Sequence, residues 1–177
     1  VERLLKLIND ILDVSKLESG EINFLIERFE VAPFINDCIV LNQEYAKEHH
    51  TSFVCTRCDK NIFIKADKDR LTQVMSNLLS NAAKYSPEDT PVEIFTSINN
   101  GYIRISVKDF GAGIPKDFED KLFGKFTQSD SGDTRQVGGT GLGLNISKQI
   151  IEKLDGRIGF DSIIDSETIF YIELPIQ

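Results

Sequence analysis

The sequence predicts an α+β domain: a two-layer α/β sandwich, a mixed sheet with helices on one face, preceded by an N-terminal helix. Three observations predict it. Two stretches alternate apolar and polar residues on either side of Asn99-Asn100-Gly101, the pattern of an antiparallel hairpin. Two longer stretches, 67–85 and 142–154, repeat apolar residues at helical spacing. The chain has 177 residues and 41% hydrophobic content, which suits one core of ordinary size with a short appendage.

Residues 1–19 read as a helix. Leu4, Ile8 and Ile11 with Leu5 and Leu12 make an apolar stripe, and Gly20 supplies the stop. So short a helix with so apolar a side is expected to lie against a partner helix outside this sequence. The chain opens at Val1, already inside that helix, and so reads as a piece of a longer protein. Residues 24–31 read as a strand and 33–48 as a helix, with Pro33 in its first turn. Thr51–Cys55 and Asn61–Lys65 read as short strands. Asp67 suits an N-cap, and Ser86-Pro87 closes the helix that follows it. Val92, Ile94, Thr96 and Ile98 alternate in the next strand, and Ile103, Ile105 and Val107 in its hairpin partner. A last helix carries Leu142, Ile146, Ile150 and Leu154 and ends near Gly156. Two final strands cover roughly 157–162 and 168–174, closing one sheet.

A net charge of −8 argues against nonspecific binding to nucleic acid or to an anionic membrane. No apolar run is long enough to span a bilayer, and no signal-peptide pattern is present. Three cysteines, an odd number without a secretion signal, predict reduced thiols. Cys55-Thr56-Arg57-Cys58, with His49 and His50 just before it, offers four soft ligands. Neither half has zinc-finger spacing, so a loop between strands is the stronger reading.

The helix at 67–85 has two faces. Leu71, Val74, Met75, Leu78, Leu79 and Ala82 form an apolar stripe. Asp69, Gln73, Asn77, Asn81 and Lys84 fall on another face, rich in amides and ending in a cation. Amide oxygens ligate hard cations such as magnesium, and lysine meets phosphate. Asp109 continues the inward phase of Ile105 and Val107, and a carboxylate on a buried face needs a specific partner. It opens Asp109-Phe110-Gly111-Ala112-Gly113-Ile114, whose two glycines let backbone approach a flat ligand. At a strand end, Asp109 can accept a hydrogen bond from an exocyclic amine such as that of adenine.

Eight of the twelve glycines lie between Gly111 and Gly143. Gly138-Gly139-Thr140-Gly141-Leu142-Gly143-Leu144 opens the last helix, where free amides and the helix dipole favour phosphate. It is neither a Walker loop nor a spaced dinucleotide-binding pattern. Between the two glycine clusters lie Leu122-Phe123-Gly124-Lys125-Phe126-Thr127-Gln128 and a polar stretch, Ser129 to Gln136, that reads as a mobile lid. Arg135 in that lid suits a terminal phosphate, or plain solvent. The Asp-Phe-Gly triplet also occurs in protein kinases, but no His-Arg-Asp loop accompanies it.

Four ordered motifs together resemble the catalytic, ATP-binding domain of two-component sensor histidine kinases, in the GHKL superfamily with its Bergerat fold. Asn77 to Ser86 resembles the N box, Asp109 to Ile114 the G1 box, Phe123 to Phe126 the F box and Gly138 to Leu144 the G2 box. The resemblance covers about residues 24–175, and 7–20 are similar to the second helix of the family's dimerisation domain. It divides the chain into 1–20, part of the dimerisation and phosphotransfer hairpin, and 21–177, the catalytic domain.

The resemblance implies ATP and Mg2+ as cofactors. Asp109 would bind the adenine amine, with Gly111, Gly113 and Ile114 admitting the base and Tyr85 near sugar or base. Asn77 and Asn81 would hold magnesium and phosphates, and Lys84 a phosphate. Arg135 would reach the γ-phosphate. Phe123, Phe126, Gly139, Thr140, Gly141, Leu142 and Gly143 would complete the nucleotide site and its lid. Asn77, Lys84 and Arg135 would then carry the phosphoryl chemistry. The implied partners are a phosphoacceptor helix of the same or a partner subunit, a response regulator, and a second copy in a full-length homodimer. The implied location is cytoplasmic, with a membrane anchor allowed elsewhere in the parent protein.

The first dimerisation helix, which carries the phosphoaccepting histidine, lies outside this sequence. His49 and His50 stand in the wrong place for that role, so this chain alone should bind ATP without phosphorylating itself. Two other readings are a GHKL-type ATPase and a nucleotide-binding pseudokinase. The ATPase relatives carry a glutamate one turn before the metal-binding asparagine; here that position is Asn77, a poor general base.

Overall fold

The computed structural model describes residues 2–127 and 140–177. The helices are α1 (Glu2–Ser19), α2 (Val31–Leu41), α3 (Gln43–Glu48), α4 (Lys68–Tyr85), α5 (Lys116–Glu119) and α6 (Gly143–Lys153). The strands are β1 (Ile26–Glu30), β2 (Phe53–Arg57), β3 (Phe63–Asp67), β4 (Val92–Asn99), β5 (Tyr102–Asp109), β6 (Arg157–Ile163) and β7 (Glu167–Pro175). Five strands form a mixed sheet in the order β2-β4-β5-β7-β6, where β2 and β4 are parallel and the other pairs antiparallel.

The hairpin between β4 and β5 closes through a two-residue loop, with Asn99 opposite Tyr102. Asn100 (φ 49°) and Gly101 (φ 78°) both take the left-handed backbone that matches the twist of a hairpin. Alternation then sorts the sheet. Val92, Ile94, Ile103, Ile105, Val107, Phe170, Ile172 and Leu174 face the helices and are buried. The opposite face is polar: Arg104 pairs with Glu173 across the ladder (2.8 Å) and stacks on Tyr171 (3.8 Å). The apolar stripe of α4 closes the core against the buried sheet face: Leu71, Val74, Met75, Leu78 and Leu79 are all 0% exposed. Its start is fixed as the sequence implies, because Asp67 accepts from the Arg70 amide (3.0 Å). A second oxygen of Asp67 accepts from the Leu25 amide (2.8 Å), binding the N-terminal segment to the same corner.

Four expectations need correction. The helix expected over 33–48 is two helices. Asn42 turns its side chain back onto the Cys38 carbonyl (2.8 Å) and onto Ser76 (3.0 Å), and this local bond competes with the helix. The strands do not form one sheet: β1 and β3 make a separate two-stranded sheet, joined by an isolated bridge from Ile64 to Ile176, just past the end of β7. Alternation marks a strand but does not name its neighbour. The third correction is α5, a single turn after Pro115 that periodicity is too short to reveal. Lastly, Cys55 and Cys58 are joined in a disulfide, whereas reduced thiols were expected; Cys38 is a free, buried thiol.

The second half of α1 lies on its own domain. Val14 and Leu17 are buried, Asp13 accepts from Gln73 (2.9 Å), and Glu18 pairs with Lys125. The stripe of Leu4, Leu5, Ile8, Ile11 and Leu12 stays exposed.

Candidate functional site

A cavity of about 580 Å³ opens between α4, α6 and the end of β5. Its floor is the amide-rich face of α4. Gln73, Asn77, Asn81, Lys84 and Tyr85 all line it, together with Ser76 and Ser80. The apolar stripe of α4 forces this: once Leu71, Leu78 and Ala82 face the sheet, residues on the remaining arc must look outward.

One wall is α6. Asn77 donates its amide to the Ser147 hydroxyl (3.0 Å), and Ser147 donates to the Gly143 carbonyl (2.9 Å). That chain of bonds fixes the Asn77 side chain and leaves its amide oxygen as the acceptor. Gly143 has no room for a side chain, because a Cβ there would stand 2.8 Å from the Asn77 Cγ. The N-terminus of α6 has no side-chain cap, and Gly143 and Leu144 line the cavity beside it. Gly141 (φ 72°) turns the chain into the helix against the Phe126 backbone, and Thr140 donates to Asp10 of α1 (2.6 Å).

The far end holds Asp109, 4% exposed, with Thr168 opposite it on β7. The Gly111 amide donates to one carboxylate oxygen of Asp109 (2.9 Å). Burial pushes the Asp109 carboxyl up to about 6, and the Gly111 hydrogen bond offsets only part of that. A buried acid with one protein donor still has acceptor capacity to spare, which suits a ligand amine. The loop after Asp109 is held open by its surroundings. The Ile114 amide donates to Ser162 (2.8 Å), and the Asp165 amide donates to the Ala112 carbonyl (2.8 Å). Gly113 has φ 79° and lies where a Cβ would meet the Ile163 carbonyl at 2.7 Å.

Of the residues proposed from sequence, the fold gathers Asn77, Asn81, Lys84, Tyr85, Asp109, Gly113, Ile114, Thr140, Gly141 and Gly143 around this one cavity. Gly111 stands behind Asp109 rather than on the wall. Phe123 is directed to Phe160 in the core, with ring centroids 6.2 Å apart. Phe126 is exposed and Leu142 is buried; both border a shallower groove beside α1. Arg135 and Gly139 lie outside the described residues. Sequence reasoning missed Ser147 and Thr168, although each carried a signal. Ser147 is one helical turn beyond Gly143, and Thr168 is a polar residue in phase with the buried Phe170 and Ile172. It also missed Asn42 and Tyr45, which the break between α2 and α3 brings to the cavity.

Residues 66–177 match the family described as histidine kinase-, DNA gyrase B-, and HSP90-like ATPase. The chain belongs to this family. The cavity lies within the matched segment apart from contributions by α1 and the α2–α3 break. The chain is 39% identical over 178 residues to the sensor histidine kinase WalK of Bacillus subtilis, covering 99% of this chain and 29% of that protein. It is 42% identical over 180 residues to a sensor protein kinase WalK of Staphylococcus aureus, covering 99% of this chain and 42% of that one. It therefore spans less than half the length of these relatives. Among solved structures, full-length ShkA in complex with AMPPNP superposes with a TM-score of 0.86 at 27% identity, over 98% of this chain and 36% of that chain. The catalytic domain of histidine kinase ThkA superposes with a TM-score of 0.72 at 27% identity, over 85% and 95%. Among the described residues, no helix is long and apolar enough to cross a membrane.

Proposed function

We propose that this chain is the catalytic part of a sensor histidine kinase, which transfers the ATP γ-phosphoryl group to a histidine on a helix outside this sequence. A response-regulator aspartate would then receive it. The observation that carries this reading is convergence: motifs far apart in sequence meet on one cavity, with a buried carboxylate at one end and an uncapped helix N-terminus near the other.

Asp109 accepts a hydrogen bond from the adenine amine, and the open backbone at Gly113 admits the flat base. Tyr85 lies beside sugar or base, with the Lys84 ammonium 4.9 Å above its ring. Lys84 meets a phosphate, and the amides at the start of α6 meet others. Arg135 would supply positive charge at the γ-phosphate.

Asn77 and Asn81 offer neutral, hard oxygen donors, a set that fits magnesium, which keeps several waters and takes much of its shell from substrate phosphates. When bound, the ion neutralises phosphate charge. The protein's own task is positioning and electrostatic stabilisation, because phosphoryl transfer asks for little covalent help. A neutral histidine ring nitrogen brings its own lone pair, so no strong base is needed here. Asn77 in place of a water-activating carboxylate argues for transfer over hydrolysis.

The same reading makes residues 1–20 the second helix of the dimerisation hairpin, with the apolar half of α1 meeting the first helix in a homodimer. It places the domain in the cytoplasm. The test is transfer in trans: this chain, ATP and magnesium are mixed with a separate two-helix fragment that carries the acceptor histidine. Acid-labile phosphate on that fragment supports the reading. Rapid release of free phosphate without labelled fragment would replace it with an ATPase.

A further inference from the structure

We infer that Cys55 and Cys58 form a reversible redox site, a dithiol–disulfide pair that exchanges with small monothiols and sets how firmly the turn between β2 and β3 is held. The two residues are bonded, with Cα atoms 6.4 Å apart. They lie away from the cavity, and phosphoryl transfer makes no use of them.

Three features of the site point to exchange rather than a fixed brace. The pair is accessible: Cys55 is exposed on β2, the edge strand of the five-stranded sheet, while Cys58 is half-buried against the core. The bridge encloses only Thr56 and Arg57, and so short a loop gives little stabilisation through chain entropy. The ladder between β2 and β4 already slips between Cys55 and Arg57, so the bond can open without breaking regular pairing.

What the bridge holds is the front of a tethered turn. The Asp59 amide donates to the Thr96 hydroxyl (2.8 Å), which in turn donates to the Asp59 carboxylate (2.8 Å). Thr96 is buried in β4. The Asn61 amide donates to Glu30 (2.8 Å), and the chain then enters β3 and ends at Asp67, the cap of α4.

The exchange is balanced. A monothiolate attacks the exposed Cys55 sulfur, forming a mixed disulfide and releasing Cys58 as thiolate. A second monothiolate attacks the outer sulfur, releasing Cys55 as thiolate and leaving the two small thiols joined as their disulfide. Two electrons pass to the protein, and the two protons lost by the small thiols end on Cys55 and Cys58.

The test uses the whole chain in a series of reduced-to-oxidised glutathione ratios, quenched with iodoacetamide and read by peptide mass. Cys55 and Cys58 should pass together from blocked to doubly alkylated, and return when the ratio is reversed. Cys38, buried with its thiol pushed up to about 12, should stay unlabelled until denaturant is added. Hydrogen exchange at the Asp59 amide should quicken by roughly tenfold or more in the reduced form. The C55S/C58S variant should match the reduced form and ignore glutathione. Three results would each overturn the inference: thiols that persist in oxidised glutathione, a bridge that persists in excess reduced glutathione, or Asp59 exchange that is the same in both states. The titration is done on the unmodified chain, so it stands even where the double variant folds poorly.

Discussion

Replacing Asp109 with asparagine should stabilise the empty protein at neutral pH while weakening its hold on ATP. The Asp109 carboxyl titrates near 6 in the fold against an ordinary value of 3.8. A raised carboxylate value means that the folded state binds the proton more tightly than the unfolded state does. Its contribution to stability is therefore complete below about 3.8 and is lost as pH rises through about 6. The loss is the difference of about 2 units, or roughly 3 kcal/mol as an upper bound. Asparagine keeps the shape and the acceptor for the Gly111 amide but carries no charge to bury. Its amide donor takes back about 1–2 kcal/mol if it finds no partner. Net stabilisation at pH 8 should be about 1–2 kcal/mol, vanishing or reversing at pH 4. Urea unfolding at a series of pH values measures this; the chain has no tryptophan, so far-UV circular dichroism is the probe. All other groups titrate alike in the two proteins and cancel, so the stability difference should change by about 2–3 kcal/mol between pH 4 and 8. A difference that stays flat across that range would refute the burial argument. ATP affinity should fall by at least about 1–3 kcal/mol in the same variant, because an acceptor oxygen becomes a donor facing an amine. In the unmodified protein, affinity should weaken as pH drops below about 6, where Asp109 takes up its proton.

Gly143→Ala puts a methyl group 2.8 Å from the Asn77 Cγ and should cost about 1–3 kcal/mol of stability, together with most of the magnesium-dependent ATP affinity. Thermal unfolding and calorimetry check both; a silent alanine would mean that Asn77 has room to move. Asn81→Ala should weaken ATP binding chiefly when magnesium is present, and an equal loss with and without the metal would remove Asn81 from the ligand set. Asp67→Ala loses both the α4 cap and the bond to Leu25, and should destabilise by about 2 kcal/mol in urea, with α4 amides exchanging faster.

The legible parts of this molecule were those with a period. The two faces of α4, the β4–β5 hairpin and the inward phase of Asp109 could be read because a single residue type in the wrong phase stands out against a regular stripe. The Asp67 cap was legible because its chemistry is local. Three kinds of feature had no such signal. The break at Asn42 depends on Ser76, which is distant in sequence. The pairing of β3 with β1 rather than with the main sheet is a choice among partners that alternation leaves open. The side-chain directions of Phe123 and Phe126 follow from tertiary packing: one ring faces Phe160, and the other sits on a left-handed backbone (φ 56°) at the surface. In the cavity, the residues proposed to bear the chemistry stand in sequence motifs, and the fold brings most of them to one place. The residue that orients Asn77, Ser147, emerges only when α4 and α6 are placed side by side.

The most direct test of the nucleotide site is a calorimetric titration of ATP into this chain, with and without magnesium. One ATP per chain, bound more tightly with magnesium and poorly by Asp109→Asn, is the predicted result. No detectable binding by the unmodified chain, or binding that ignores both the metal and Asp109, would contradict it.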